Sequence, residues 1–223
     1  MAAAAVPVSI VLPVYNEAAL LERSVAALAE YASAAPLLDR FEIILVCNGC
    51  GDGSNEISRM LAARDPEHIR ALCLTTRGLG LAIRAGIEAA AYEHVMFYAV
   101  DLPFGLHVIG DSAAALEGEP RRIVIGSKGH PQSAIERSLL FPREILRTYG
   151  AMMDSAGPFF QAQIVIYGRR LGCDVVEIPV ILRREREVRA TRFKLLGDGL
   201  RYIGAIIRER HKLAAAQERS DES

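Results

Sequence analysis

The sequence predicts an α/β fold, a mostly parallel sheet with helices on both faces. Two observations carry that expectation. Through the first half of the chain, apolar runs of strand length alternate with stretches whose apolar residues recur at helical spacing. The first of those runs, Val8–Pro13, is continuous rather than apolar at every second residue, as a strand covered on both faces should be.

Val8–Pro13 is the first such run, and Ala18–Ala32 carries Leu20, Leu21, Val25, Leu28 and Ala29 on one helical side. Phe41–Val46 predicts a second strand ending in CNGCGDGS, with a helix over Asn55–Arg64. Ile69–Leu74 predicts a third strand, TTRGLG a turn, and Leu81–Tyr92 a helix. Val95–Val100 predicts a fourth strand, stopped by Asp101, Leu102 and Pro103. Beyond it the pattern predicts helices over Ile109–Leu116, Phe141–Tyr149 and Gly157–Leu171 and a strand over Arg122–Gly126. Asp174–Leu182 reads as a further strand, with Pro179 suited to a sheet edge. A basic connection over Arg183–Arg192 leads to a last helix over Leu195–Lys212.

A chain of 223 residues, 51% hydrophobic and 24% charged, suits one sizeable core and excludes disorder. We expect a single domain over residues 1–212 and a disordered tail over 213–223. A formal net charge of −1 gives no general attraction to nucleic acid. No apolar run reaches bilayer-spanning length, and no basic segment precedes the opening apolar stretch, so neither a transmembrane segment nor a signal peptide is expected. The expected location is cytoplasmic. The last helix, apolar on one side and near several arginines, suits core packing or a peripheral membrane contact equally. The four cysteines fit a reducing compartment. Without a second close pair, the CNGC pair reads as small residues packing a turn rather than as a zinc site.

In a sheet of this kind ligands bind beyond the carboxyl ends of the strands. That rule places Pro13–Glu17, Cys47–Ser54, Arg77–Gly80 and Asp101 along one edge. Tyr15 offers a ring and Glu17 two acceptor oxygens. The same PVYNE turn also reads as a helix start, with Asn16 capping and Glu17 near the positive helix end. Gly78 and Gly80 permit close approach of backbone, whether to a ligand or within the fold.

These motifs, VSIVLPVYNE, FEIILVCNGCGDGS, RGLGLAIRAGIEAA and VMFYAVDLP, resemble in order and spacing those of family 2 glycosyltransferases. RGLG and the later GCDVVEIPV most resemble the polyprenyl-phosphate (dolichyl-phosphate) mannosyl- and glucosyltransferases. The resemblance implies a GT-A (Rossmann-like) fold and an inverting transferase with a nucleotide-diphosphate sugar donor of GDP-mannose or UDP-glucose type. It implies a polyprenyl-phosphate, or other small acceptor, and Mg²⁺ or Mn²⁺ as cofactor. Pro13, Tyr15, Glu17, Asn48, Asp52, Arg77 and Gly80 fall at its nucleotide-binding positions. Asp101 falls at the metal-facing acid and shares the catalytic positions with Lys128, Arg189 and Lys194. Arg192 lies in the same basic loop. Several positions depart from the pattern: Cys47 and Asn48 stand for an aspartate pair, Ala99 replaces the first acid of the Asp-x-Asp motif, Lys128 replaces an arginine, and Gln163 stands where the family often has an acid.

Two readings follow. One is an active transferase whose cations stabilise the leaving diphosphate. The other is a binding or regulatory protein that kept the fold and lost turnover. A sugar nucleotidyltransferase would need a glycine-rich, basic phosphate loop after Val8–Pro13, and a dinucleotide-binding domain would need G-x-G-x-x-G there. Neither is present.

Overall fold

The structure, a computed structural model, describes residues 5–36, 38–116, 118–127, 138–181 and 204–213. It groups into two units, Met1–Arg186 and Glu187–Ser223. In the second, residues 204–213 are helical. The first unit carries the sheet. Its elements run β1 (Val6–Val14), α1 (Ala18–Ala34), β2 (Leu38–Asn48), α2 (Ser54–Arg64), β3 (Ile69–Leu74), α3 (Leu79–Ala89), β4 (His94–Tyr98), α4 (His107–Ala114), β5 (Arg122–Ser127), β6 (Ser138–Pro142), α5 (Glu144–Tyr149), α6 (Phe159–Arg170) and β7 (Asp174–Pro179).

The seven strands lie in the order β3-β2-β1-β4-β6-β5-β7. β1 pairs in parallel with β2 and β4, β2 with β3, and β5 with β7. Only β6 runs against its neighbours, antiparallel to both β4 and β5. The central strands are buried on both faces: Ile10, Val11 and Leu12 of β1 and Ile43 to Val46 of β2 are fully covered. On one face Val8, Ile10, Leu12 and Val14 join a core with Leu21, Val25 and Leu28 of α1 and Val108 and Ile109 of α4. On the other, α3 presses its Gly86 against Val11, and α5 and α6 pack beside it.

Successive crossovers carry the chain from β1 outward to β3, and α3 then returns it to β4 on the far side of β1. The strand order therefore reverses between β1 and β4, and the crevice beyond their carboxyl ends is the place such sheets receive ligands.

The segment expected to be helical over Phe141–Tyr149 divides at Pro142. Ser138–Pro142 is the antiparallel strand β6, and the helix begins at Glu144. A run as short as SLLFP has no period that separates strand from helix. The sheet decides, because every residue of β6 is buried between β4 and β5. α3 starts at Leu79, inside the stretch read as a turn, and β4 ends at Tyr98, so Val100 belongs to the loop. β7 is an edge strand, which accommodates Pro179.

Candidate functional site

Pairing register sets the site's level. Val14 of β1 lies beside Cys47 of β2, and Asn48 beside Leu74 of β3. Val11 pairs with Phe97 of β4, so Tyr15 and Asp101 each stand four residues beyond that pair. Tyr15, Asn48 and the start of the Thr75–Gly78 turn therefore lie at one height along the edge, and Asp101 follows β4 in the turn closed by Leu102 N to Ala99 O.

Hydrogen bonds tie three of these loops together. Asn48, 4% exposed, donates its Nδ2 to the Val14 carbonyl at 2.8 Å and accepts from the Gly78 amide at 3.1 Å. One side chain thus spans the ends of β1, β2 and β3. The β1 and β2 loops are also zipped to each other. Gly51 N donates to Asn16 Oδ1 (2.9 Å), Glu17 N to Ser54 Oγ (3.0 Å) and Ala18 N to Asp52 Oδ2 (3.0 Å). Glu17 is the N-cap residue of α1, but its own side chain makes no cap bond. Residues from the next loop satisfy the free amides of that helix end instead. Asn16 has φ 54°, a left-handed conformation that asparagine tolerates.

Asp52 also accepts from Ser54 N and Ser54 Oγ, at 3.1 and 2.6 Å. Burial works to raise its pKa, and the bonds from Ser54 and Ala18 outweigh it, holding the carboxyl below its usual range. Arg77 lies over the Tyr15 ring with its guanidinium carbon 4.3 Å from the centroid, a cation–π stack at the mouth of the site. Gly49 (φ +67°) has Arg77's backbone against it: a Cβ would lie 3.0 Å from Arg77 N.

Gly80 needs its missing side chain for a reason internal to the fold. A Cβ there would overlap the Ser155 carbonyl oxygen and come within 2.9 Å of Gly157 O. Gly80 N donates to Ala156 O at 2.9 Å. The close backbone approach at this position is filled by the chain's own 155–157 segment. Gln163 fixes that segment from α6, accepting from Ser155 N and donating to Asp154, while Arg84 of α3 donates to the Gly150 and Met153 carbonyls. No local pattern marks this contact, because the two partners lie far apart along the chain and a glycine alone points to neither.

Cys47 is fully buried under α2, its Sγ 3.1 Å from Ser58 Oγ and 3.6 Å from the Ser54 carbonyl. Burial pushes its thiol up to about 12, so it is neutral. The four cysteines are free. Among the described residues no group of three His, Cys, Asp or Glu side chains could hold a metal. Asp101 is a half-exposed single carboxylate at the end of β4. It fits a hard cation whose other ligands are phosphate oxygens and water. Lys128, Arg189, Arg192 and Lys194 lie outside the described residues.

The sequence model of one family, Glycosyl transferase family 2, matches residues 9–157, from β1 through the segment packed on Gly80. The chain belongs to glycosyl transferase family 2. Among curated members, Glycosyltransferase AglD of Haloferax volcanii is 27% identical over 208 residues, covering 80% of this chain and 33% of the relative. An undecaprenyl-phosphate 4-deoxy-4-formamido-L-arabinose transferase of Aeromonas hydrophila is 38% identical over 98 residues, 43% of this chain and 29% of the relative. The chain thus spans about a third of the length of the curated relatives it matches. Glucosyl-3-phosphoglycerate synthase of Mycobacterium tuberculosis superposes with a TM-score of 0.67 at 19% identity, over 92% of this chain and 80% of that one. The mannosyltransferase PcManGT of Pyrobaculum calidifontis, in complex with GDP-Man and Mn²⁺, superposes with a TM-score of 0.60 at 20% identity, over 78% and 55%. At these identities the likeness establishes the fold, which is of the GT-A type expected from the family's motifs. No helix among the described residues is long and apolar enough to cross a membrane.

Proposed function

We propose that this family 2 chain transfers a sugar, with inversion, from a nucleotide-diphosphate donor of GDP-mannose or UDP-glucose type to a polyprenyl-phosphate or another small acceptor. The observation that carries the reading is the joined floor of β1, β2 and β3 loops, with Asp101 in the loop after β4 across the reversal in strand order. Names of relatives point the same way: one acts on an undecaprenyl phosphate, and a structural neighbour holds GDP-Man with Mn²⁺.

On this reading Tyr15 and Arg77 present a face for the base, with Pro13 beside them. Glu17 accepts from ribose hydroxyls, and Arg77 faces phosphate. Asn48, Asp52 and Gly80 serve by holding the loops in place rather than by touching the nucleotide. Asp101 would hold Mg²⁺ or Mn²⁺, which supplies positive charge to the donor diphosphate. Lys128, Arg189 and Lys194 would add cations to the departing group. The acceptor oxygen bonds to the anomeric carbon as the bond to the diphosphate breaks, and the nucleoside diphosphate leaves. A phosphate acceptor is already ionised near neutral pH, with a second pKa of about 6, and requires no base. A hydroxyl acceptor requires one, and Asp154 is the carboxylate on the segment packed against Gly80. The work is cytoplasmic, and peripheral at the membrane when the acceptor is a lipid.

Ala99 and the neutral Cys47 favour the second reading, a binding protein without turnover, because both sit where the resembling motifs carry acids. Calorimetry with GDP-mannose, UDP-glucose, GDP and UDP, with and without Mn²⁺, separates the two when paired with a transfer assay on a short polyprenyl phosphate. Binding that Mn²⁺ strengthens, lost in Asp101→Asn, together with transfer, is the expected result. Binding without transfer to any acceptor establishes the second reading, and no binding of any nucleotide overturns both.

A further inference from the structure

The loop that carries Asp101 is held from an unexpected side. Tyr98, the last residue of β4, is fully buried, and its ring points past Ala99–Asp101 to the returning limb of the loop. There its hydroxyl donates to the Gly105 carbonyl at 2.7 Å and accepts from the Phe104 amide at 3.3 Å. Two successive turns lie between these points, closed by Leu102 N to Ala99 O at 3.0 Å and by Gly105 N to Leu102 O at 3.3 Å. Leu102, between them, has φ 49°, a left-handed conformation that costs a branched residue energy and persists only where its surroundings fix it. Here they do: Val100, Leu102, Pro103 and Phe104 are all buried, and Asp101 is the half-exposed polar residue among them. The loop is an apolar latch that leaves one carboxylate at the crevice.

We propose that Tyr98 is a positioning residue for Asp101: by clasping Phe104 and Gly105 it fixes both turns and, with them, the backbone that carries the carboxylate. The inference rests on the reading of Asp101 as the residue that faces the donor's metal. It matters more in this chain because Ala99 leaves a single acid in the motif. One carboxylate, with no second to share the coordination, must be held in place by its backbone.

The test is Tyr98→Phe in the full chain, which keeps the ring and removes the hydroxyl. Two readouts are taken. Amide hydrogen exchange should quicken over residues 100–105 and stay unchanged over β1 and β2. The gain in UDP or GDP affinity on adding Mn²⁺ should fall about tenfold, the loss expected of two neutral hydrogen bonds, while affinity without Mn²⁺ is unaltered. Asp101→Asn should remove the gain, and Tyr98→Phe should cost nothing further in that background. Ile109→Val, which trims the core under α4 without touching the clasp, should leave the gain intact. A merely structural role for Tyr98 would not separate the metal-dependent part of binding in this way. Unchanged exchange over 100–105, a full Mn²⁺ gain in Tyr98→Phe, or an equal loss without metal overturns the inference alone. A wild-type chain that binds nucleotide with no Mn²⁺ gain overturns the metal role of Asp101 and this inference with it.

Discussion

Asn48→Asp is the most informative single change, because it installs the acid that the resembling motif carries and should nonetheless damage this chain. The substitution is isosteric, so packing is preserved and only the donor is lost. Asn48 is 4% exposed and uses both ends of its amide, Nδ2 to Val14 O and Oδ1 from Gly78 N. An ionised aspartate keeps the bond from Gly78 but turns a carboxylate oxygen towards the Val14 carbonyl, which loses its amide donor and keeps only the weak Cys50 thiol at 3.3 Å. Loss of the amide hydrogen bond costs about 1–1.5 kcal/mol, and repulsion between the two facing oxygens adds about as much again. We expect a total of about 3 kcal/mol at pH 7, a large share of the roughly 5–15 kcal/mol typical of a folded protein. For a chain of this size that lowers Tm by about 6–12 °C. The sign with pH follows. Burial and the facing carbonyl raise the folded-state pKa of the new carboxyl above its unfolded value of about 3.9. The destabilisation is therefore full above the folded pKa and vanishes below the unfolded one, where a protonated carboxyl donates to Val14 again. Urea unfolding of wild type and variant at pH 7 and pH 4 measures it. Equal stability at pH 7, or a deficit that persists undiminished at pH 4, would refute the account of Asn48 as the tie between three loops.

Gly80→Ala should destabilise by about 1–3 kcal/mol in thermal unfolding, since its Cβ meets backbone at Ser155 and Gly157, which cannot swing aside as a side chain would. His94, with Nε2 buried and without a hydrogen-bond partner, has its pKa lowered by burial against the opposing pull of Glu93. The unfolded chain then takes up the proton first, so stability should fall as pH drops below about 6.5, and His94→Gln should flatten that slope between pH 7 and pH 5. Cys47, neutral and fully covered, should resist a thiol reagent in the folded chain, while the half-buried Cys50 and Cys73 react; labelling of Cys47 before unfolding would contradict its placement.

The parallel half of the sheet was legible because its strands are mostly apolar, each is followed by a distinct polar or glycine-rich turn, and helical spacing resumes after the turn. β6 was not. Its five residues acquire strand character from β4 and β5 on either side, a tertiary cause that local pattern does not carry. The same limit explains why α3 begins two residues earlier than its apolar spacing indicated. Leu79 and Gly80 enter the helix because the 155–157 segment holds Gly80 in place.

At the candidate site the β1, β2 and β3 loops named from the sequence are hydrogen-bonded to one another, and the reasons for individual residues came from those contacts. PVYNE reads as either a ligand turn or a helix start, and the structure shows why the two are not rivals. The α1 end is capped from the next loop, by Asp52 and Ser54, which leaves the Glu17 side chain out of the capping. Capping across loops makes the position of one depend on the other, and Asn48 extends the dependence to the Arg77 turn. Asn48 and Asp52 thereby tie the loops to one another, whatever they offer a ligand, and Arg77 stacks on the Tyr15 ring beside them. On the β4 side the frame is Tyr98, which lies within VMFYAVDLP but had no role there, because a tyrosine at the end of an apolar strand looks like core until its hydroxyl is seen bridging the limb that returns past Asp101.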